Sequence, residues 1–250
     1  ELEHAAYRGI ADRYGQASRA EWPEKVDSDG ALRAAHASER AMLTQAKASA
    51  DQDEYGGRLD VRNLAKTGWF HTQKTDGRWQ LVTPAGHAFF SLGVNAVTAD
   101  GGRSYVEGRE FMFTGLPPDS GEWAAFYGTS DNRGTDQGAS QGIGYNHGRW
   151  FEFYAANLYR VDGKNWLEAW RARTLDRLQA WGFNTIGNWS DDALGQAHRL
   201  PYTRSINIAG DYANVASGLD YWGRMPDPFD PRFVQATETA VAKASADVRA

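Results

Sequence analysis

A single run, FFSLGV from Phe89 to Val94, narrows the choice of fold more than any other part of this chain. It is apolar on both faces of an extended strand, whereas a strand lining one core alternates apolar and polar side chains. Such a strand suits a parallel sheet covered by helices on each side. The sequence after it agrees. NWLEAWRARTLDRLQAWGF reads as an amphipathic helix, with Leu167, Trp170, Thr174, Leu178 and Trp181 at three- and four-residue intervals and Gly182 as its stop. FNTIGNW then reads as a strand over 183 to 188, SDDALGQAHRL as a short helix, and PYTRSINIAG as a strand over 202 to 208. The last segment, DPRFVQATETAVAKASADVRA, reads as a helix capped by Asp230 with Pro231 in its first position. Strand and helix alternate, which predicts α/β architecture with about three βα units.

GWFHTQKT and RWQLVT upstream are also β-prone, and with HAFFSLGVNAV, the strand that contains the run, they are separated by Asp76-Gly77 and Pro84-Ala85-Gly86, a meander whose first turn is a strong hairpin signal. Residues 1–65 are polar, with one good helix former, DGALRAAHASERAMLTQAKA, whose apolar stripe is expected at Leu32, Ala35, Met42 and Leu43. They read as a helical arm and linker ahead of a second region, 66–250. Within that region, 98–163 form a long insertion rich in glycine and aromatics. A closed (β/α)8 barrel takes about 250 residues by itself, so three units after a long lead-in predict a partial (β/α)8 TIM barrel.

Composition removes several functions. The net charge is −5 and no Lys/Arg stripe is present, so no nucleic-acid partner is expected. With no cysteine, disulfides and thiolate chemistry are excluded. The six histidines, at 4, 36, 71, 87, 147 and 198, form no HxH or HxxxH pair, SDNRGTDQG lacks the twelve-residue calcium loop, and QGIGYNHG lacks the strand and helix of a phosphate loop. Neither metal nor cofactor is expected. No apolar run approaches the roughly 20 residues that span a bilayer, so no membrane partner is expected, and residues 1–15 carry no signal-peptide pattern.

In parallel β/α folds ligands gather where strands end. The strands here end on Asn95, on Asn188-Trp189-Ser190-Asp191, and on Asn207 to Asp211. Ser190 and Asp191 are expected to start the next helix. Asn95 can contact a ligand or bond neighbouring backbone, and Asn188 with Trp189 offers an amide and a stacking face beyond what a turn needs. Glu107, Glu110, Glu122, Glu152 and Glu168 lie in the insertion or on the helix, so no pair of strand-exit glutamates presents itself for glycoside hydrolysis.

TGWFHTQKTDGRWQLVTPAGHAFFSLGVNAV, RLQAWGFNTIGNWSD and DPFDPRF resemble the N-terminal part of the catalytic domain of glycoside hydrolase family 50, the β-agarases. The likeness runs from about residue 55 to residue 250. It implies a (β/α)8 barrel that cleaves β-1,4 bonds of agarose, or a related galactan, with retention and two glutamates at the ends of the fourth and seventh strands. Both glutamates are expected beyond Ala250, so the chain alone is expected to be inactive on agarose. The polysaccharide contacts expected here are Asn95, Asn188, Trp189 and Trp222, and a secreted or periplasmic location is implied. Two alternatives stand beside this: a non-catalytic carbohydrate-binding module with Trp123, Trp150 and Trp222 as platforms, and an interaction fragment that pairs with another chain.

Overall fold

The computed structural model describes residues 4–46, 50–61, 63–131, 147–215 and 224–249. In chain order the elements are α1 (His4–Tyr7), α2 (Asp29–Leu43), β1 (His71–Thr75), β2 (Arg78–Val82), β3 (Ala88–Phe89), β4 (Gly93–Val94), β5 (Arg103–Tyr105), β6 (Tyr127–Asp131), β7 (His147–Glu152), α3 (Phe153–Asp162), α4 (Trp166–Ala180), β8 (Thr185–Ile186), α5 (Asp192–Gln196), β9 (Asn214–Val215), β10 (Met225–Pro226) and α6 (Pro231–Arg249). They fall into two compact units: Asp27–Ala99 with Leu158–Thr203, and Glu1–Val26 with Asp100–Asn157 and Arg204–Ala250.

In the first unit β1, β2 and β3 form the expected antiparallel meander. Its first turn takes positive φ at both Asp76 (52°) and Gly77 (78°), the conformation that Asp-Gly supplies between twisted strands. The run that follows is not one strand buried on both faces. Ala88–Phe89 ends the meander and Gly93–Val94 starts a parallel pair with β8, while Phe90 is 76% and Leu92 47% exposed. Between the two halves the Asn184 side chain replaces ladder bonds, accepting from Leu92 N–H at 2.8 Å and donating to Phe90 C=O at 2.9 Å.

The parallel pair aligns Gly93 with Thr185 and Val94 with Ile186, and a single parallel bridge carries the pattern on from Ile186 to Tyr202. The strand expected over 202–208 thus shrinks to one bridge, since no second edge pairs with it among the described residues. Helix α4 lies between the first and second of these segments in sequence and α5 between the second and third. Leu158, Trp170, Leu175, Leu178, Ile186 and Leu194 form the core, with Val94, Phe183 and Tyr202 packed against it. Helix α4 stops as predicted, with Gly182 at φ 79°, but Trp181 lies past its end and is 63% exposed.

Helix α2 begins at Ser28, whose hydroxyl accepts from Ala31 N–H. Its inward stripe differs from the apolar one expected: Ala35 and Met42 face outward, and Leu32, His36, Glu39 and Leu43 face inward. The reason is the partner. Helix α4 presents Arg177, which forks onto Glu39 with two bonds of 2.6 Å, and Arg173, which pairs with Asp162 at 3.0 Å. Burial first, then the charges of Arg173 and Arg177, lowers His36 below its ordinary 6.5 against the opposing pull of Glu39 and Asp162. A base with a lowered folded value binds fewer protons folded than unfolded, so stability is full above about 6.5 and is lost as the pH falls through it. His36→Gln is expected to flatten the fall in denaturation midpoint between pH 7 and pH 5; an unchanged slope would show that His36 does not report this cluster.

The second unit holds a three-stranded antiparallel sheet, β5-β7-β6, so the insertion carries regular structure of its own. Phe151, fully buried on β7, meets Tyr127 at 4.8 Å and Phe153 at 4.8 Å between ring centroids. Gly128 is small because the Trp150 indole lies where its Cβ would be. Helix α6 starts as predicted: Asp230 accepts from Arg232 N–H at 2.9 Å and from Ala213 N–H at 2.7 Å.

Candidate functional site

Two parallel strands leave side by side, and their exits are laced together beyond the ladder. Gly187 N–H donates to Val94 C=O at 2.8 Å. The next residue is held on both sides: Asn188 N–H donates to Asn95 Oδ1 at 2.9 Å, and Asn188 C=O accepts from Ala96 N–H at 2.7 Å. Ser190 Oγ then accepts from Val97 N–H at 3.1 Å and donates to Gly187 C=O at 2.8 Å, while Asp191 N–H donates to Val97 C=O at 2.9 Å.

This lacing requires Gly187. A Cβ there would run into the Asn95 carboxamide oxygen and lie 2.7 Å from Val94 O. It also contains two non-glycine residues with left-handed backbone, Ala96 at φ 55° and Trp189 at φ 60°. For an L-residue that conformation costs roughly 1–2 kcal/mol. For a bulky residue it is an outlier of the kind that gathers at functional sites. Trp189 gains no burial in return, since it is 68% exposed.

Asp191 behaves as expected of a cap: it accepts from Ala193 N–H at 2.9 Å at the start of α5. Arg171 of α4 also reaches it, with Nε and Nη2 both 3.1 Å from Oδ2, and holds Glu168 at 2.5 Å. Helix α4 is thereby tied to the second exit.

Of the residues singled out from sequence, Asn95, Asn188 and Trp189 come together here. Trp222 lies outside the described residues. Asp211 is fully exposed and belongs to the other unit, 4.0 Å from Arg232. Asn95 takes the backbone-bonding role, with its oxygen on the neighbouring strand's peptide. Gly187 was not among the residues singled out, although a glycine closing a strand is its signal in the sequence. Nor was Ala96, a residue type that carries no such signal.

The insertion's carboxylates are engaged with neighbours. Arg149 holds Glu110 at 3.1 Å and Asp119 at 3.2 Å and donates its backbone N–H to Glu107 at 2.8 Å. Glu152 is buried beside Arg103 at 3.8 Å; burial pushes its carboxyl up, against the pull of the Gly102, Tyr154 and Ala155 amides and of Arg103. Trp150 is covered by the Arg103 guanidinium, 4.7 Å from its ring centre, and by Gly128. No cluster of three metal-ligating side chains occurs among the described residues, and no described helix is long and apolar enough to cross a membrane.

No family model matches the chain. Over 97% of its length it is 34% identical to β-agarase B of Vibrio sp. strain JT0107, and over 99% it is 32% identical to β-agarase A of the same strain. It covers 27% and 25% of those proteins, so it spans about a quarter of the length of the curated relatives it matches. Two solved structures resemble it from end to end. One is an agarase, AgWH50C, with TM-score 0.82 and 29% identity over 99% of this chain and 37% of that one. The other, PfGH50B, has TM-score 0.83 and 27% identity over 100% of this chain and 38% of that one.

Proposed function

We propose that this chain, homologous to β-agarases along its whole length, forms the N-terminal part of a retaining β-agarase barrel and supplies one wall of its sugar cleft. Homology at 32–34% identity that runs through both units carries the reading. The parallel order of residues 93–94, 185–186 and 202, with helices between, fits the first three strands of a (β/α)8 barrel. The wall consists of Asn95, Asn188 and Trp189. Agarose is the substrate class, acted on by two glutamates that neither exit carries. A retaining pair needs carboxyls about 5–5.5 Å apart. Export from the cell follows from so large a substrate.

A free-standing carbohydrate-binding module is less well supported, because the Trp150 face such a module would use is covered by Arg103 and Gly128. The purified chain is expected to be held back on agarose beads and to release no reducing ends from agarose. Release of reducing ends at a rate above a buffer blank would overturn the assignment of the catalytic pair to another part of the protein.

A further inference from the structure

The left-handed turn at Trp189 needs something to hold it. In the turn Gly187-Asn188-Trp189-Ser190 the third position takes positive φ, which glycine adopts freely and tryptophan does not. An exposed residue in that conformation gains nothing from packing and drifts to ordinary backbone unless the peptides on both sides are fixed. Before Trp189, Asn188 is fixed at its N–H by Asn95 Oδ1 and at its C=O by Ala96 N–H. After it stands Ser190, whose single hydroxyl reaches back across the turn to Gly187 C=O and sideways to Val97 N–H on the other strand exit.

We propose that Ser190 is a positioning residue, whose hydroxyl closes the 187–190 turn and braces it on the neighbouring exit so that the Trp189 indole stands ready as a stacking face for a sugar ring. The part in starting helix α5 that the sequence offers to Ser190 is filled by Asp191. The hydroxyl donates once and accepts once, and both partners are backbone groups of the two exits. Aromatic faces and the C–H faces of pyranose rings meet by dispersion and apolar contact, so the gain comes from holding the indole in place beforehand. The ligand class, a saccharide, rests on the reading under Proposed function. The role of Ser190 in shaping the turn does not.

The test is a cycle of Trp189→Gly, Ser190→Ala, the double variant and Ser190→Thr in the 250-residue chain, read by thermal midpoint and by titration with an agaro-oligosaccharide. Trp189→Gly is expected to raise the midpoint by about 2–4 °C while binding is lost. Ser190→Ala is expected to lower the midpoint and weaken binding about tenfold, with Ser190→Thr restoring both. In the glycine background Ser190→Ala is expected to cost clearly less midpoint, because glycine needs no brace. An equal cost in both backgrounds, with affinity untouched by Ser190→Ala, would overturn the positioning role even if Trp189→Gly abolished binding. If Trp189→Gly left affinity unchanged, or the unaltered chain bound no oligosaccharide, the saccharide assignment would fall, while the stability cycle would still decide the role of Ser190.

Discussion

Replacing Asp53 by alanine is expected to lower the thermal midpoint by roughly 10 °C, the largest loss from any single change outside the core. Asp53 is 7% exposed at its side chain and accepts four hydrogen bonds. Tyr55 and Gly57 donate backbone N–H to Oδ1 at 2.9 and 2.7 Å, and Thr83 Oγ1 and His87 Nδ1 approach Oδ2 at 2.7 and 2.8 Å. Burial works against its charge, but these donors outweigh that and hold the carboxyl below the ordinary carboxylate value. Removing it leaves four polar groups without an acceptor, which costs about 3–5 kcal/mol. The carboxylate joins the loop at 51–60 to the turn between β2 and β3, so the loss reaches both. Asp53→Asn, which keeps one acceptor oxygen, is expected to fall between. A midpoint within 2 °C of the unaltered chain for Asp53→Ala, about what a change of 1 kcal/mol or less would give, would remove this clamp from the account.

The second large effect is at Gly187. An alanine there puts a methyl group onto Val94 C=O and the Asn95 carboxamide, neither of which can move without unpairing the two exits. Overpacking against fixed backbone costs about 1–3 kcal/mol, and here the strain falls on the peptide before Trp189. Saccharide binding is therefore expected to be lost although Gly187 has no side chain to contact a ligand. Circular dichroism would show the fold retained. Binding of agaro-oligosaccharide by a folded Gly187→Ala chain at unaltered affinity would show that the lacing of the exits does not shape the site.

Much of this was legible in the residues themselves. Asp76-Gly77 announced the hairpin because its turn needs positive φ twice, and Gly182, Asp230 and Pro231 marked helix ends by the same local logic. What periodicity misread depended on partners far away in sequence. The inward face of α2 carries His36 and Glu39 because α4 offers guanidinium groups there, and no pattern within α2 contains that information. FFSLGV reads as one buried strand because apolarity records burial preference and not pairing; an antiparallel neighbour ends at Phe89 and a parallel one begins at Gly93. At the site, Asn188 and Trp189 were visible as residues a plain turn does not need. The left-handed backbone of Ala96 and Trp189 was not, because neither residue type signals it. The resemblance to β-agarases stood in the motifs at 67–97 and 177–191, and the homology found covers both.

The most direct test of the sugar-cleft account is a titration of the chain with agaro-oligosaccharide, followed through the indole N–H resonances of its ten tryptophans. The Trp189 resonance is expected to move to saturation while that of Trp170, 2% exposed in the core, stays where it is. A titration in which the oligosaccharide shifts other indoles and leaves Trp189 unmoved would contradict it.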